Sequence, residues 1–169
     1  MPVRQAVIQS ETMRSLWRDN AGTALVEATI VIPVLLVLVF GVFEFSAFFW
    51  QQQLISTGVR DAARYLSRSL DQSDPAVETA AKNLAVTGST SGGMPRVSGW
   101  SVSDLTISLT SIDNPVGANG TSPYRGFALI QVVTVSTSYT HPSLGFLDYL
   151  GLPDLVIQVS HSERVIGAR

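Results

Sequence analysis

Residues 20–50 read NAGTALVEATIVIPVLLVLVFGVFEFSAFFW. From Ala28 to Phe43 no side chain is charged, and Glu44 is the single charge between there and Trp50. At a rise of ~1.5 Å per residue, a helix of this length matches the ~30 Å hydrocarbon core of a bilayer. The stretch predicts a membrane span, with an unusually apolar core helix as the alternative.

Two acids and a proline interrupt this pattern. An ionisable group inside a span is costly and normally has a partner or a function. Glu44 lies near the far end, where Phe45, Phe48, Phe49 and Trp50 would form an aromatic belt around a carboxylate reaching the headgroups. Glu27 sits at the N-terminal edge, five residues after Gly22. Pro33 removes a backbone donor and leaves the carbonyl of Thr29 without its intrahelical partner. The Thr29 hydroxyl is the expected compensation. The proline reads either as a harmless kink or as a point where the helix loosens.

Gly22, then Thr23-Ala24-Leu25-Val26, then Glu27 and a long apolar run resembles the cleavage site of a type IV prepilin. The wider pattern resembles the TadE-like family, the minor pseudopilins of tight-adherence (Flp-type) pili. It takes in Arg18-Asp19, Gly22, Ala24-Leu25-Val26-Glu27, Pro33, Phe40-Gly41, Glu44-Phe45 and Gly58-Val59-Arg60-Asp61-Ala62-Ala63-Arg64-Tyr65. Gly58 and Asp61 stand where that pattern leads one to expect alanine and glutamate. The resemblance implies a prepilin peptidase cutting between Gly22 and Thr23, with Glu27 serving processing or assembly. It also implies other pilin subunits and an assembly platform as partners. The organisation that follows is a cytoplasmic leader over 1–22, a transmembrane helix over 23–50 and an extracytoplasmic pilin-like α+β domain over 51–169. The place implied is the bacterial inner membrane, N-terminus inside, with possible incorporation into an extracellular pilus.

The leader carries Arg4, Arg14 and Arg18 against Glu11 and Asp19. A secretory signal also begins with a basic region, but its apolar stretch is shorter and ends in small residues. Here the run continues to Phe48-Phe49-Trp50 without an A-x-A site. Met13 is an alternative start that would shorten the leader. Arg60, Arg64 and Arg68 follow the span, so the count of flanking arginines is level. Arg14 and Arg18 lie nearer the bilayer and favour an N-inside orientation.

The chain of 169 residues has a net charge of -2, which makes nucleic acid an unsuitable partner. Without cysteine there is neither a disulfide framework nor a thiolate metal site. About 119 residues follow the span, enough for one modest domain. Charged residues are 14% of the chain, which suits an extracytoplasmic surface.

Beyond the span the period of the apolar residues becomes that of an amphipathic helix, with Ile55, Val59, Ala62, Ala63, Leu66 and Leu70 at three- and four-residue steps. Ser73-Asp74-Pro75 reads as a cap and first-turn proline for a second helix through Val86, ending at Gly88. Gly88 to Gly99 is a loop by composition. Leu105, Ile107 and Leu109 then alternate with Thr106, Ser108 and Thr110, the pattern of a half-buried strand. A second, central strand is predicted from about Phe127 to Tyr139 and a third from Leu155 to Val165. The connection from His141 to Asp154, rich in Leu, Phe and Tyr, is expected either to cover the sheet or to touch a partner. The fold class is α+β: a long helix, a short helix and a small antiparallel sheet.

Sites for chemistry are sparse. His141 and His161 lack the i,i+4 spacing of a metal-binding helix, although Tyr139 and Glu163 lie where cross-strand approach is conceivable. Gly88-Ser89-Thr90-Ser91-Gly92 has the glycine spacing of a nucleophile elbow with threonine at the nucleophile position. No P-loop or dinucleotide fingerprint is present, and neither a cofactor nor a metal is expected. The sequence predicts a structural subunit rather than an enzyme. The competing reading is an uncleaved bitopic envelope protein whose domain binds other components, which gives no reason for the spacing of Gly22 and Glu27.

Overall fold

The computed structural model describes residues 20–124 and 128–166. The expectations for the leader before Asn20, and for Phe127 at the start of the second strand, lie outside these residues. Helix α1 runs from Asn20 to Arg68 over 49 residues and contains Pro33. Helix α2 spans Pro75–Thr87, followed by a 3-10 turn at Val102–Asp104, strand β1 at Leu105–Asp113 and strand β2 at Leu129–Thr140. A single-turn helix, α3, occupies Phe146–Tyr149, and strand β3 closes the order at Val156–Arg164. The α+β class, the long helix and the small antiparallel sheet all agree with the sequence reading.

The chain divides into two compact units, one ending at Phe43 and the other running from Glu44 to Arg169. In the first unit the helix is apolar on every side. Its most apolar 18-residue window has a mean hydropathy of 2.7, and none of it is buried inside the protein. A core helix of a soluble domain hides its apolar face in its own fold, whereas one apolar all round needs a membrane or other apolar cover. This helix is long and apolar enough to cross a membrane. The Thr29 hydroxyl donates to the carbonyl of Leu25 at 2.7 Å. It is therefore engaged one turn below the carbonyl that Pro33 leaves free, not on that carbonyl as expected.

The second unit is built on the amphipathic part of α1. Ile55, Val59, Ala62, Ala63 and Leu66 are completely buried, as their three- and four-residue spacing predicts, whereas Leu70 lies past the helix end at Arg68 and is exposed. Helix α2 starts where the Asp74 carboxylate accepts from the amide of Ala76 (2.8 Å), with Pro75 at the position that needs no donor. It stops at Gly88, whose φ of 82° admits the left-handed cap; the Gly88 amide returns to the carbonyl of Leu84 at 2.9 Å. Ala81, Ala85 and Val86 face the core.

The two helices touch at Gly58. A Cβ there would fall inside the radius of the Ala85 carbonyl oxygen and 2.9 Å from the Trp100 ring. Glycine in mid-helix costs ~1 kcal/mol in propensity relative to alanine, and here the missing side chain admits a neighbouring backbone.

The three strands form one antiparallel sheet in the order β1-β2-β3, so β2 is central as predicted. Leu105 pairs with Thr137 and Leu109 with Val133 on one side of it; Ile157 pairs with Tyr139 and Val159 with Thr137 on the other. The face carrying Leu105, Val133, Val135, Tyr139 and Ile157 joins the helices in a single core. Between α2 and the sheet, the loop after Gly88 is anchored by side chains. Trp100, 1% exposed, donates its indole N–H to Thr137 (3.1 Å), whose hydroxyl donates onward to the carbonyl of Asp104 (2.9 Å). Arg96 pairs with Asp61 on α1 at 2.9 Å, and Tyr139 donates to the carbonyl of Ser98 at 2.7 Å. Burial, and secondarily the charge of Asp104, push the Tyr139 phenol above the usual tyrosine range. It remains a neutral donor through physiological pH.

Gly58→Ala is expected to destabilise the second unit by about 1–3 kcal/mol of overpacking, outweighing the ~1 kcal/mol gain in helix propensity. Thermal unfolding of the purified chain in detergent checks this: a melting temperature at or above the parent's contradicts the close approach.

Candidate functional site: a buried carboxylate and the first turns of the long helix

The sequence singles out residues at two places on α1, and the structure keeps them separate. Gly22, Thr23 and Glu27 lie in its first two turns, all exposed. A Cβ built on Gly22 meets nothing within 4 Å. Thr23 and Glu27 are one helical turn apart, so they share a face. Among the described residues Glu27 has no ion-pair partner. Pro33 follows, within the apolar run.

Glu44 is placed differently from a headgroup-facing carboxylate. It is fully buried, at 0% exposure, in the second unit. Both of its oxygens accept from the backbone N–H of Leu144, at 3.0 and 3.1 Å, across 100 residues of sequence. His141, 1% exposed, sets its Nε2 3.4 Å from Glu44 Oε1, within ion-pair distance but not aligned for a hydrogen bond. The other ring nitrogen, Nδ1, lies 2.8 Å from Gln51 Oε1. Phe48 packs edge-on against the imidazole, with ring centroids 5.6 Å apart. Gln51 Oε1 can only accept, so Nδ1 is the donor in that contact and Nε2 is the ring nitrogen that faces the carboxylate.

The sequence contained a signal for this arrangement. Glu44, Phe48 and Gln51 continue, in four- and three-residue steps, the same stripe that carries Ile55, Val59, Ala62 and Leu66. A carboxylate on a core-facing stripe calls for a buried partner. Its partners lie far along the chain, and only folding brings them together.

The other histidine is simpler. His161 Nε2 lies 3.0 Å from Glu163 Oε1, and Arg64 approaches the same oxygen at 3.9 Å. The His161–Glu163 contact lies within β3, between residues two apart, and is not the cross-strand approach expected; Tyr139 turns to Ser98 instead. The Gly88–Gly92 run follows a helix rather than a strand, so it lacks the strand-turn-helix context of a nucleophile elbow. Ser89 and Ser91 share a hydrogen bond of 2.9 Å within it. Among the described residues no three His, Asp or Glu side chains gather as a metal site would require.

Among the described residues, the fold and these positions define one helix able to cross a membrane and a small α+β domain built on its continuation. Residues 22–64 match the family model described as TadE-like protein. That match covers the apolar run and most of the amphipathic part of α1, and it points to a protein associated with tight-adherence pili. No curated protein and no solved structure matches the chain.

Glu44→Ala strips acceptors from the Leu144 amide and leaves His141 facing an apolar gap. An unsatisfied buried polar group costs about 1–3 kcal/mol. The expected result is a lower melting temperature and faster amide exchange over residues 141–152, with a smaller effect for Glu44→Gln, which keeps one acceptor. Exchange mass spectrometry on the detergent-solubilised chain is the measurement, and unchanged exchange in Glu44→Ala would mean the contact holds nothing in place.

Proposed function

We propose that this chain is a minor pseudopilin of a tight-adherence (Flp-type) pilus, cut by a prepilin peptidase after Gly22 and acting in pilus assembly or adhesion through packing rather than catalysis. The observation that carries this reading is the family match beginning at Gly22 and running through a membrane-length apolar helix into a folded domain. On this reading the leader is cytoplasmic, the span lies in the inner membrane and the α+β domain lies in the periplasm. The partners are the peptidase, the other pilin or pseudopilin subunits and the assembly platform. A domain of this size suits a minor component that primes, caps or regulates, since the major pilins of such systems are much shorter chains.

The open surroundings of Gly22 support its assignment as the cut site. Nothing in the fold opposes a side chain there, so the requirement for glycine is placed on the enzyme that reads it. Gly22→Leu should leave the full-length chain in the membrane, while the parent yields a mature chain beginning at Thr23. Intact mass of the protein recovered from membranes checks this. Normal processing of the variant, or a parent that keeps residues 1–22, would favour the uncleaved envelope-protein reading instead.

Cleavage gives Thr23 an ammonium group one turn from Glu27. In lipid, either charge is costly without an opposite one, and the exposed position of Glu27 leaves it available to the Thr23 amine of a neighbouring subunit. Such a pair would set the axial register between helices. Glu27→Gln is then expected to be cut normally yet fail to co-purify with other pilus subunits. Wild-type assembly of this variant would reject a role for the charge, and loss of cutting alone would mean that Glu27 serves the peptidase.

A further inference from the structure

The connection between β2 and β3 had two sequence-based roles, covering the sheet or touching a partner. In the structure only Leu147 of its apolar side chains is fully buried, at 2% exposure, and it pins the single turn of α3. Leu144, Tyr149, Leu150 and Leu152 remain exposed, Tyr149 at 83% and Leu144 at 67%. The segment is compact and shaped by its backbone. Gly145 (φ 97°) and Gly151 (φ 68°) flank α3, and the amide of Leu152 returns to the carbonyl of Leu147 at 2.9 Å. The exposed apolar side chains are therefore presented by an ordered turn.

We propose that residues 142–152 rest on the lipid surface of the bilayer as a second membrane contact beside the helix. This inference depends on the membrane-spanning part of the function proposed above. Its position comes from the Glu44 contact, which ties the Leu144 amide to the turn of α1 at which the uncharged run ends. Exposed on that part of the helix beside Ser46 are the aromatic residues Phe45, Phe49 and Trp50, of which Trp50 is the type that settles at a membrane interface. The loop thus lies at the level of an aromatic belt, and Tyr149 extends the belt onto the folded domain. Its charges fit a shallow contact with neutral lipid. Between His141 and Leu155 there is no lysine or arginine to attract anionic headgroups. The exposed acids Asp148 and Asp154 hold the turn at interfacial depth rather than in hydrocarbon.

The absence of cysteine makes the test direct, because one introduced thiol is the only one to label. The full chain is reconstituted in phosphatidylcholine vesicles with an environment-sensitive fluorophore at Tyr149→Cys, Leu144→Cys, Thr106→Cys or Leu35→Cys. Lipids brominated near the headgroup or along the acyl chain serve as quenchers. The expected result is that the labels at 149 and 144 lose most of their fluorescence to the shallow quencher, unchanged by added salt. The label at 35 should be quenched by the deep one, and the label at 106, on exposed β1, by neither. If 35 is quenched while 149 and 144 behave like 106, the loop does not touch lipid and the inference is overturned. If 149 and 144 are shielded from aqueous iodide yet untouched by brominated lipid, a second copy of the chain covers the loop, which also overturns it. Failure of quenching at 35 would instead remove the membrane span, and with it the basis of this inference.

Discussion

The folded unit depends on a bare patch of helix. At Gly58 the backbone of α2 comes so close that even a methyl group on α1 would collide with the Ala85 carbonyl. Ala62 and Ala63 on the next turn, and Ala81 and Ala85 on α2, are small and fully buried in the same core. This close crossing leaves space beside it for one large side chain, and Trp100 occupies it. From Trp100 the contacts pass through Thr137 to the backbone of Asp104, so helix crossing, loop and sheet meet at one tryptophan. Small residues on the helices and a large one in the loop are two halves of one packing solution.

The parts of this fold that rest on local rules could be read in the sequence. The cap and stop of α2 depend on Asp74, Pro75 and Gly88, each acting within a turn of itself. The central place of β2 followed from its nearly continuous apolar start. The membrane-length helix followed from the absence of charge between Ala28 and Phe43. The segment from Gly88 to Gly99 was legible only as a loop, because its composition is polar while its function in packing comes from Arg96, Val97 and the Trp100 that follows it. Their partners, Asp61 and Thr137 among them, are distant in sequence. Gly58 looked like a departure from a family pattern, and the reason for it needed the position of Ala85.

Glu44 shows the same limit more sharply. Read along the chain, an acid at the end of an apolar run is a group that must find water or headgroups. In the fold, the direction of its helical face outweighs its distance along the helix, because the stripe from Glu44 to Leu66 points into the protein. The carboxylate becomes an acceptor for the Leu144 amide of a loop 100 residues away. Gln51, two turns along the same stripe, fixes the imidazole from its other side. The first turns of α1 are the opposite case. Gly22 and Glu27 stood out through their resemblance to a prepilin cleavage site, and on the function proposed above their meaning concerns an external reader and not the fold.

The attachment of the folded unit to α1 also has a mechanical side. The helix is tied to the rest of the domain at Glu44, Gln51, Asp61, Arg64 and Ser67, the last accepting from the amide of Ile166 at 2.7 Å. These ties are spread over six turns and none is covalent to the sheet, since the chain has no cysteine. Tension applied along the helix would be shared among them instead of concentrating on one. A shaft gripped at many points along its length can be pulled hard before it slips, and each grip can re-form when the load is released.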